Sequence, residues 1–271
     1  MKKQLVKLAS NLFPKAMANL AYQTLTSPQV KKLRAHELVL LDKAKKEKID
    51  FKGFAIQTYK WGNPQDEKIF LIHGWEGQAG NFADLIKVLI EQKFFVISFD
   101  GPSHGFSSKG KTSLFEFSEL VGFLIEKYSP KKLISHSFGG VATTTALFQN
   151  KSLAIEKYAL LTTPDKFSER IDDVAKQVGV TEKVKNLLIQ RLEKEMDIDV
   201  KTVSVSSFVK EINVKKTMII HDKNDRVIPI SQSKNVCDNW ENCILKEIEG
   251  TGHFRILRTE SVINDVVDFM S

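Results

Sequence analysis

The chain has 271 residues, 42% apolar and 27% charged, with a formal net charge of +7. That length buries a large core, and one α/β domain with an insertion is favoured over two independent domains. No apolar run is long enough to span a bilayer, and no nucleic-acid motif accompanies the basic balance. The two cysteines, Cys237 and Cys243, form no metal-ligand pattern and are expected as free thiols in a reducing, cytoplasmic setting.

Residues 2–48 read as a helical, amphipathic arm packed on the main domain, with Leu5, Leu8 and Leu12 on one face and Pro14 starting a second helix that carries Leu20. Seven basic residues (Lys2, Lys3, Lys7, Lys15, Lys31, Lys32 and Arg34) precede the first acid, Glu37. A solvated helix face accounts for them, and peripheral contact with an anionic membrane is the rival reading. Ala16-Met17-Ala18 resembles a signal-cleavage site. Lys7, Ser10, Asn11 and Pro14 interrupt the apolar stretch before it, so the segment is read as mature structure.

From residue 49 onward strands and helices alternate. Strands are predicted at Phe54–Trp61, Ile69–Ile72, Phe94–Phe99, Leu133-Ile134, Tyr158–Leu161, Met218–Ile220 and Ile244–Ile248. Helices are predicted around Phe82–Ile90, at Phe115–Tyr128 and around Val262–Phe269. The alternation implies an α/β fold with a mostly parallel central sheet and helices on both faces. Residues 165–213 break the rhythm as a small helical cap insertion. One helix carries Ile171, Val174 and Val178 and ends at Gly179. A second is capped by Thr181 and carries Val184, Leu187, Leu188 and Leu192.

The chemistry-bearing motifs follow predicted strands. Ser135-His136-Ser137-Phe138-Gly139 reads as a strand running into a sharp turn with Ser137 at its tip, directly before a helix. Small residues at 135 and 139 let strand and helix approach closely. A serine hydroxyl is a poor nucleophile unaided, so such a site also needs a base and an orienting acid. His73-Gly74-Trp75-Glu76-Gly77, Asp100–Ser107, His221–Pro229 and Gly250–Phe254 each lie at the carboxyl end of another strand, where open α/β sheets place their sites. The histidines at 73, 104, 136, 221 and 253 share this rim without metalloprotease-type spacing, and no metal or cofactor is expected.

With these motifs in the order Ser…Asp…His, residues 50–271 resemble the α/β-hydrolase superfamily. The resemblance implies Ser137 as nucleophile, His253 as general base and Asp225 as the carboxylate that orients His253. It also implies an oxyanion hole formed by the backbone N–H groups of Trp75 and Phe138. Ser135 stands where the common pattern has glycine. Asp222 rivals Asp225 on the same loop, and the family spacing favours Asp225. The implied activity is that of a serine hydrolase, a carboxylesterase acting on small or medium acyl esters as its small-molecule partner. A thioesterase or membrane-associated lipid-ester hydrolase, and a non-catalytic binding protein on the same fold, are the alternatives.

Overall fold

The computed structural model describes residues 2–196 and 199–271. The strands are β1 (Lys45–Phe51), β2 (Phe54–Trp61), β3 (Glu67–Ile72), β4 (Phe94–Phe99), β5 (Lys132–His136), β6 (Ile155–Leu161), β7 (Val214–Asp222) and β8 (Cys243–Ile248). Helices α1 (Lys2–Leu12), α2 (Pro14–Leu25) and α3 (Ala35–Asp42) precede them. Between the strands lie α4 (Ala83–Glu91), α5 (Leu114–Tyr128), α6 (Phe138–Gln149), α7 (Phe167–Val178), α8 (Glu182–Met196), α9 (Val205–Phe208) and α10 (Ile230–Asp238). The short α11 (Gly252–Arg255) and α12 (Glu260–Met270) close the order. The chain divides into two compact units, residues 29–165 with 205–271 and residues 1–28 with 166–204.

The larger unit is built on one eight-stranded sheet in the order β1-β2-β4-β3-β5-β6-β7-β8. The β1–β2 and β2–β4 pairs are antiparallel, and every other pair is parallel. Residues alternate across the strands, so adjacent side chains serve opposite faces. On one face Ile69, Leu71, Val96, Ile134 and Ile220 pack with Leu85, Ile86 and Leu89 of α4 and Val262, Ile263 and Val266 of α12. On the other, Phe70 stacks on Phe99 at 5.4 Å between ring centroids, and Phe99 meets Phe117 of α5 at 5.6 Å. Residues Ile69–Ile72 of β3 and Phe94–Phe99 of β4 are therefore near-continuous apolar runs, as a sheet covered on both faces requires.

Asp165 and Val205 mark the ends between which residues 166–204 leave this unit. The Asp165 carboxylate accepts hydrogen bonds from the Ser206 backbone N–H at 2.8 Å and the Ser206 hydroxyl at 2.9 Å. Its own N–H donates to Gln232 Oε1 at 2.9 Å, so the neck of the insertion is fastened to α10.

The smaller unit joins α1 and α2 with α7 and α8. Tyr22, Ile171, Leu192 and Val200 are its buried centre. The Arg191 guanidinium lies over the Tyr22 ring, 3.8 Å from its centroid, and donates to Asn19 Oδ1 at 2.7 Å. Gly179 ends α7 in the left-handed conformation at φ +89°, the position glycine takes most readily.

Several expectations are corrected here. The helical arm does not run to residue 48: α3 ends at Asp42 and Lys45–Phe51 forms the edge strand β1. Residues 29–48 belong with the sheet, and 1–28 group with 166–204 instead of forming an arm and a cap bounded at 48, 165 and 213. Leu5, Leu8 and Leu12 do share a face, but it points to solvent, while Ser10 on the other side is buried. Thr181 precedes α8 with its hydroxyl unpaired instead of capping it. Cys237 and Cys243 are joined as a disulfide, not free thiols, because α10 turns back into β8 and brings their Cα atoms to 5.4 Å.

Candidate active site

Ser137 sits between β5 and α6 with φ +54° and ψ −123°. This backbone region is uncommon for a residue with a side chain and persists only where the surroundings over-determine it. They do so here. The Ser137 N–H donates to both Leu161 O (3.0 Å) and Thr162 O (2.8 Å), and its carbonyl accepts from Gly140 N–H (2.8 Å). A Cβ on Gly139 would lie 2.6 Å from both Ile72 O and His73 O, so only glycine lets α6 start this close to β3. Ser135 is buried and its hydroxyl bonds the Tyr158 hydroxyl at 2.7 Å, a partner that a glycine could not supply. Ser137 Oγ makes no capping bond to α6, which leaves it available for chemistry.

The loop after β3 lies against this turn. A Cβ on Gly74 would approach the Ser137 Cβ to 3.2 Å, and the Trp75 and Phe138 rings meet edge to face at 5.2 Å. Phe138 is the first residue of α6, where backbone N–H groups lack intrahelical acceptors and the helix dipole favours negative charge. Buried polar groups hold the Trp75 loop. His73 Nδ1–H donates to Gly74 O at 2.7 Å, and His73 Nε2 accepts from Gly101 N–H at 2.9 Å. His104 Nδ1–H donates to Pro102 O at 2.8 Å, and its Nε2 accepts from Glu76 N–H at 3.2 Å. Asp100 accepts from Tyr59 OH (2.9 Å), Ala79 N–H (2.9 Å) and Phe106 N–H (2.8 Å). Burial pushes the His73 pKa down to about 4 and, aided by the neighbouring His73, that of His104 down to about 3. Both rings are therefore neutral spacers, with both nitrogens of each committed to the backbone.

Asp225 and His253 lie on the loops after β7 and β8. Asp225 Oδ1 accepts from Val227 N–H (2.7 Å) and Ile228 N–H (3.0 Å). Its Oδ2 lies 2.8 Å from His253 Nδ1 and 3.5 Å from His221 Nε2. Burial alone would raise the Asp225 pKa. The histidine and backbone hydrogen bonds overcome it and hold the carboxyl far below the usual range. With Asp225 ionised, His253 Nδ1 carries the proton and Nε2 is left as the basic atom.

The rival carboxylate takes another place. Asp222 accepts from Asn224 N–H at 2.8 Å, Thr251 Oγ1 at 2.9 Å, Gly252 N–H at 2.7 Å and the Thr251 backbone N–H. It ties the carboxyl ends of β7 and β8 together and fixes the residues before His253. His136 completes the link to the Ser137 side: its Nε2–H donates to the His253 carbonyl at 2.9 Å, with the two rings 5.0 Å apart. Burial, with the adjacent His253, pushes the His136 pKa down to about 3. The structure thus brings Ser137, Phe138, Trp75, Asp225 and His253 to the same sheet edge. Among the described residues no group of three His, Cys, Asp or Glu side chains could hold a metal ion.

From the sequence, Asp222, directly after its strand, reads as a loop stabiliser that bonds backbone N–H groups, and that is where the structure places it. Sequence reading did not foresee the His136–His253 bridge, for which the only signal was that both residues lie in motifs directly after strands.

A family model described as the alpha/beta hydrolase fold matches residues 68–194. That span contains Trp75, Ser137 and Phe138, while Asp225 and His253 lie beyond it. The human serine hydrolase-like protein is 31% identical over 117 residues, 40% of this chain and 56% of that protein. The chain thus spans about half the length of that relative. The structure of Est1E from Butyrivibrio proteoclasticus with bound ferulic acid is similar at a TM-score of 0.67 and 19% identity, covering 83% of this chain and 97% of that one. A predicted CIB-like hydrolase from Thermoplasma acidophilum is similar at a TM-score of 0.62 and 18% identity, covering 84% and 97%. With the mostly parallel eight-stranded sheet and the serine turn after β5, these likenesses show the alpha/beta hydrolase fold.

Proposed function

We propose that the protein is a serine hydrolase that cleaves carboxylic esters through an acyl-enzyme on Ser137. The observation that carries this reading is the strained serine turn, with its hydroxyl unused for capping, beside a histidine whose Nδ1 is 2.8 Å from a buried, ionised Asp225. In the proposed reaction His253 Nε2 takes the Ser137 proton as Oγ attacks the ester carbonyl carbon. The carbonyl oxygen becomes an oxyanion and is met by the N–H groups of Trp75 and Phe138. Fixed donors of this kind are worth about 3–4 kcal/mol of barrier each, because they need no reorganisation as charge develops. His253 then gives its proton to the departing alcohol. Water, deprotonated by the same nitrogen, attacks the acyl-enzyme and frees the acid. Asp225 stays ionised throughout and stabilises the imidazolium. Protein groups carry each step.

A fluorophosphonate probe is expected to label the wild-type chain and to spare Ser137→Ala, in parallel with p-nitrophenyl ester turnover. A panel of ester and thioester chain lengths would then assign the leaving group. Undiminished turnover by a folded Ser137→Ala variant refutes the mechanism.

A further inference from the structure

A second histidine stands at Asp225. The side chains of His221 and Asp225 are both fully buried, and His221 Nε2 lies 3.5 Å from Asp225 Oδ2. The same nitrogen is 3.0 Å from Ile228 O. Two acceptors face it, so Nε2 carries the proton: it donates to the Ile228 carbonyl and turns its positive end towards the carboxylate. Nδ1 is then the acceptor of a neutral ring, 2.7 Å from Ser233 Oγ on α10. The Ser233 hydroxyl donates there, and the Thr163 carbonyl, at 3.2 Å, is its more distant acceptor. The Thr163 N–H donates back to Ser233 Oγ at 3.3 Å. Thr163 follows Thr162, whose carbonyl accepts the Ser137 N–H at 2.8 Å. A buried line of polar contacts thus runs from the Ser137 turn through Ser233 and His221 to Asp225.

An ionised carboxylate offers about four acceptor positions, two on each oxygen. Asp225 Oδ1 takes the N–H groups of Val227 and Ile228, and Oδ2 takes His253 Nδ1–H. The remaining position on Oδ2 faces His221. Burial would raise the Asp225 pKa, and His221 is foremost among the groups that hold it down instead. Without this ring Oδ2 would keep one donor in a site closed to water, and the carboxylate would have less to fix its rotation. The Ile228 carbonyl would also lose its donor, which frees the loop that supplies both N–H groups to Oδ1. His73 and His104 differ in kind, because both nitrogens of each bond backbone groups, whereas His221 links two side chains.

From this geometry we infer that His221 is a positioning residue for the reaction. Held in its Nε2–H form by Ser233, it closes the free side of Oδ2 and ties the Asp225–Ile228 loop, so that Asp225 stays aligned on His253 Nδ1. The role rests on the reading of Asp225 and His253 as the acid and base that serve Ser137.

The test is steady-state kinetics on a p-nitrophenyl ester, with the urea midpoint of every variant measured to correct for the folded fraction. His221→Asn keeps a polar group towards Ser233 and removes the one at Oδ2, whereas the longer His221→Gln carries an amide N–H to the place of Nε2. His221→Asn should lower kcat by about 10–100-fold, the scale of a misplaced catalytic group. KM should stay within about twofold, because no substrate contact is removed. His221→Gln should recover kcat to within about fivefold of wild type, since it restores one hydrogen bond. Ser233→Ala removes only a hydroxyl and should lower kcat about fivefold, the worth of a single hydrogen bond. In an Asp225→Asn background each of these changes should cost less than about twofold, because the group they act through is already lost. Wild-type kcat in folded His221→Asn or Ser233→Ala overturns the role. So does His221→Gln no better than His221→Asn, or losses that multiply with that of Asp225→Asn. Should His221→Asn fail to fold, Ser233→Ala alone and in the Asp225→Asn background decides the question. Wild-type turnover by Asp225→Asn itself would instead refute the catalytic reading, and this role with it.

Discussion

Acid should destabilise this protein well above the range in which its carboxylates titrate. His73 is held near pKa 4, and His104 and His136 near 3, chiefly by burial, whereas an unfolded chain gives histidine about 6.5. Geometry supports the direction. A proton on His73 Nε2 would face the Gly101 N–H, and one on His104 Nε2 would face the Glu76 N–H. Below about pH 6.5 the unfolded state takes up protons on these three rings and the native state does not, so stability falls as pH falls. Between pH 7 and 5 each ring removes about 1.9 kcal/mol, or about 6 kcal/mol for three. Asp100 works in the opposite sense: burial raises its pKa, so the native state gains a proton first and offsets part of this loss. Asp225 and Asp222 have depressed pKa values, and their contributions are lost only at lower pH. A typical domain has about 5–15 kcal/mol in total, so the midpoint of urea unfolding should move sharply. The assay is tryptophan-monitored urea denaturation across this pH window. His104→Gln should reduce the slope by about 1.4 kcal/mol per pH unit. An unfolding free energy constant to about 1 kcal/mol from pH 7 to 5 would refute the reasoning.

Three further outcomes are expected. Asp225→Asn should lower turnover on an activated ester by about 10⁴, while Asp222→Asn, measured on folded protein, should lose far less and instead unfold at lower denaturant. A larger turnover loss from Asp222→Asn transfers the orienting role to Asp222. Gly139→Ala should reduce turnover at least about tenfold, because its Cβ meets two backbone carbonyls at 2.6 Å and must displace the loop carrying Trp75; wild-type kinetics would contradict the close approach. Cys237→Ser/Cys243→Ser should cost about 2 kcal/mol, the loop-closure value for a sequence separation of 6, and reductant should reproduce the loss in the wild-type chain.

How much of this was legible depended on which physical signal each element carries. The strands β3 and β4 are covered on both faces, so Ile69–Ile72 and Phe94–Phe99 appear as near-continuous apolar runs. The serine turn is visible because a tight strand-to-helix junction requires small residues at fixed positions. Strand β1, Lys-Lys-Glu-Lys-Ile-Asp-Phe, carries neither signal: it lies at the sheet edge with Lys45 to Lys48 exposed, and lysines there oppose pairing with another chain. Its pairing with β2 is set by the register from Lys45–Lys60 to Phe51–Phe54, which is a property of the hairpin and not of the strand. Periodicity showed that Leu5, Leu8 and Leu12 share a face. It cannot say whether that face meets protein or solvent, because both arrangements have the same period. The disulfide escaped because spacing alone does not say that α10 folds back on β8.

Strand order decides why the site needs two carboxylates. Ser137 follows β5 and His253 follows β8, and β6 and β7 lie between them. At about 4.8 Å per strand the histidine loop must reach back roughly 14 Å along the carboxyl edge. Asp222, at the end of β7, gathers the backbone of Thr251 and Gly252 and so starts the chain in that direction. His136, beside Ser137, takes hold of the far end through the His253 carbonyl. Between these two ties Asp225 Oδ2 meets His253 Nδ1 at 2.8 Å. An amide at 225 would alter the proton on His253, whereas an amide at 222 would alter where His253 stands. The two substitutions should therefore differ in kind. Asp225→Asn should lower turnover of the folded protein. Asp222→Asn should first lower stability, with turnover following the folded fraction.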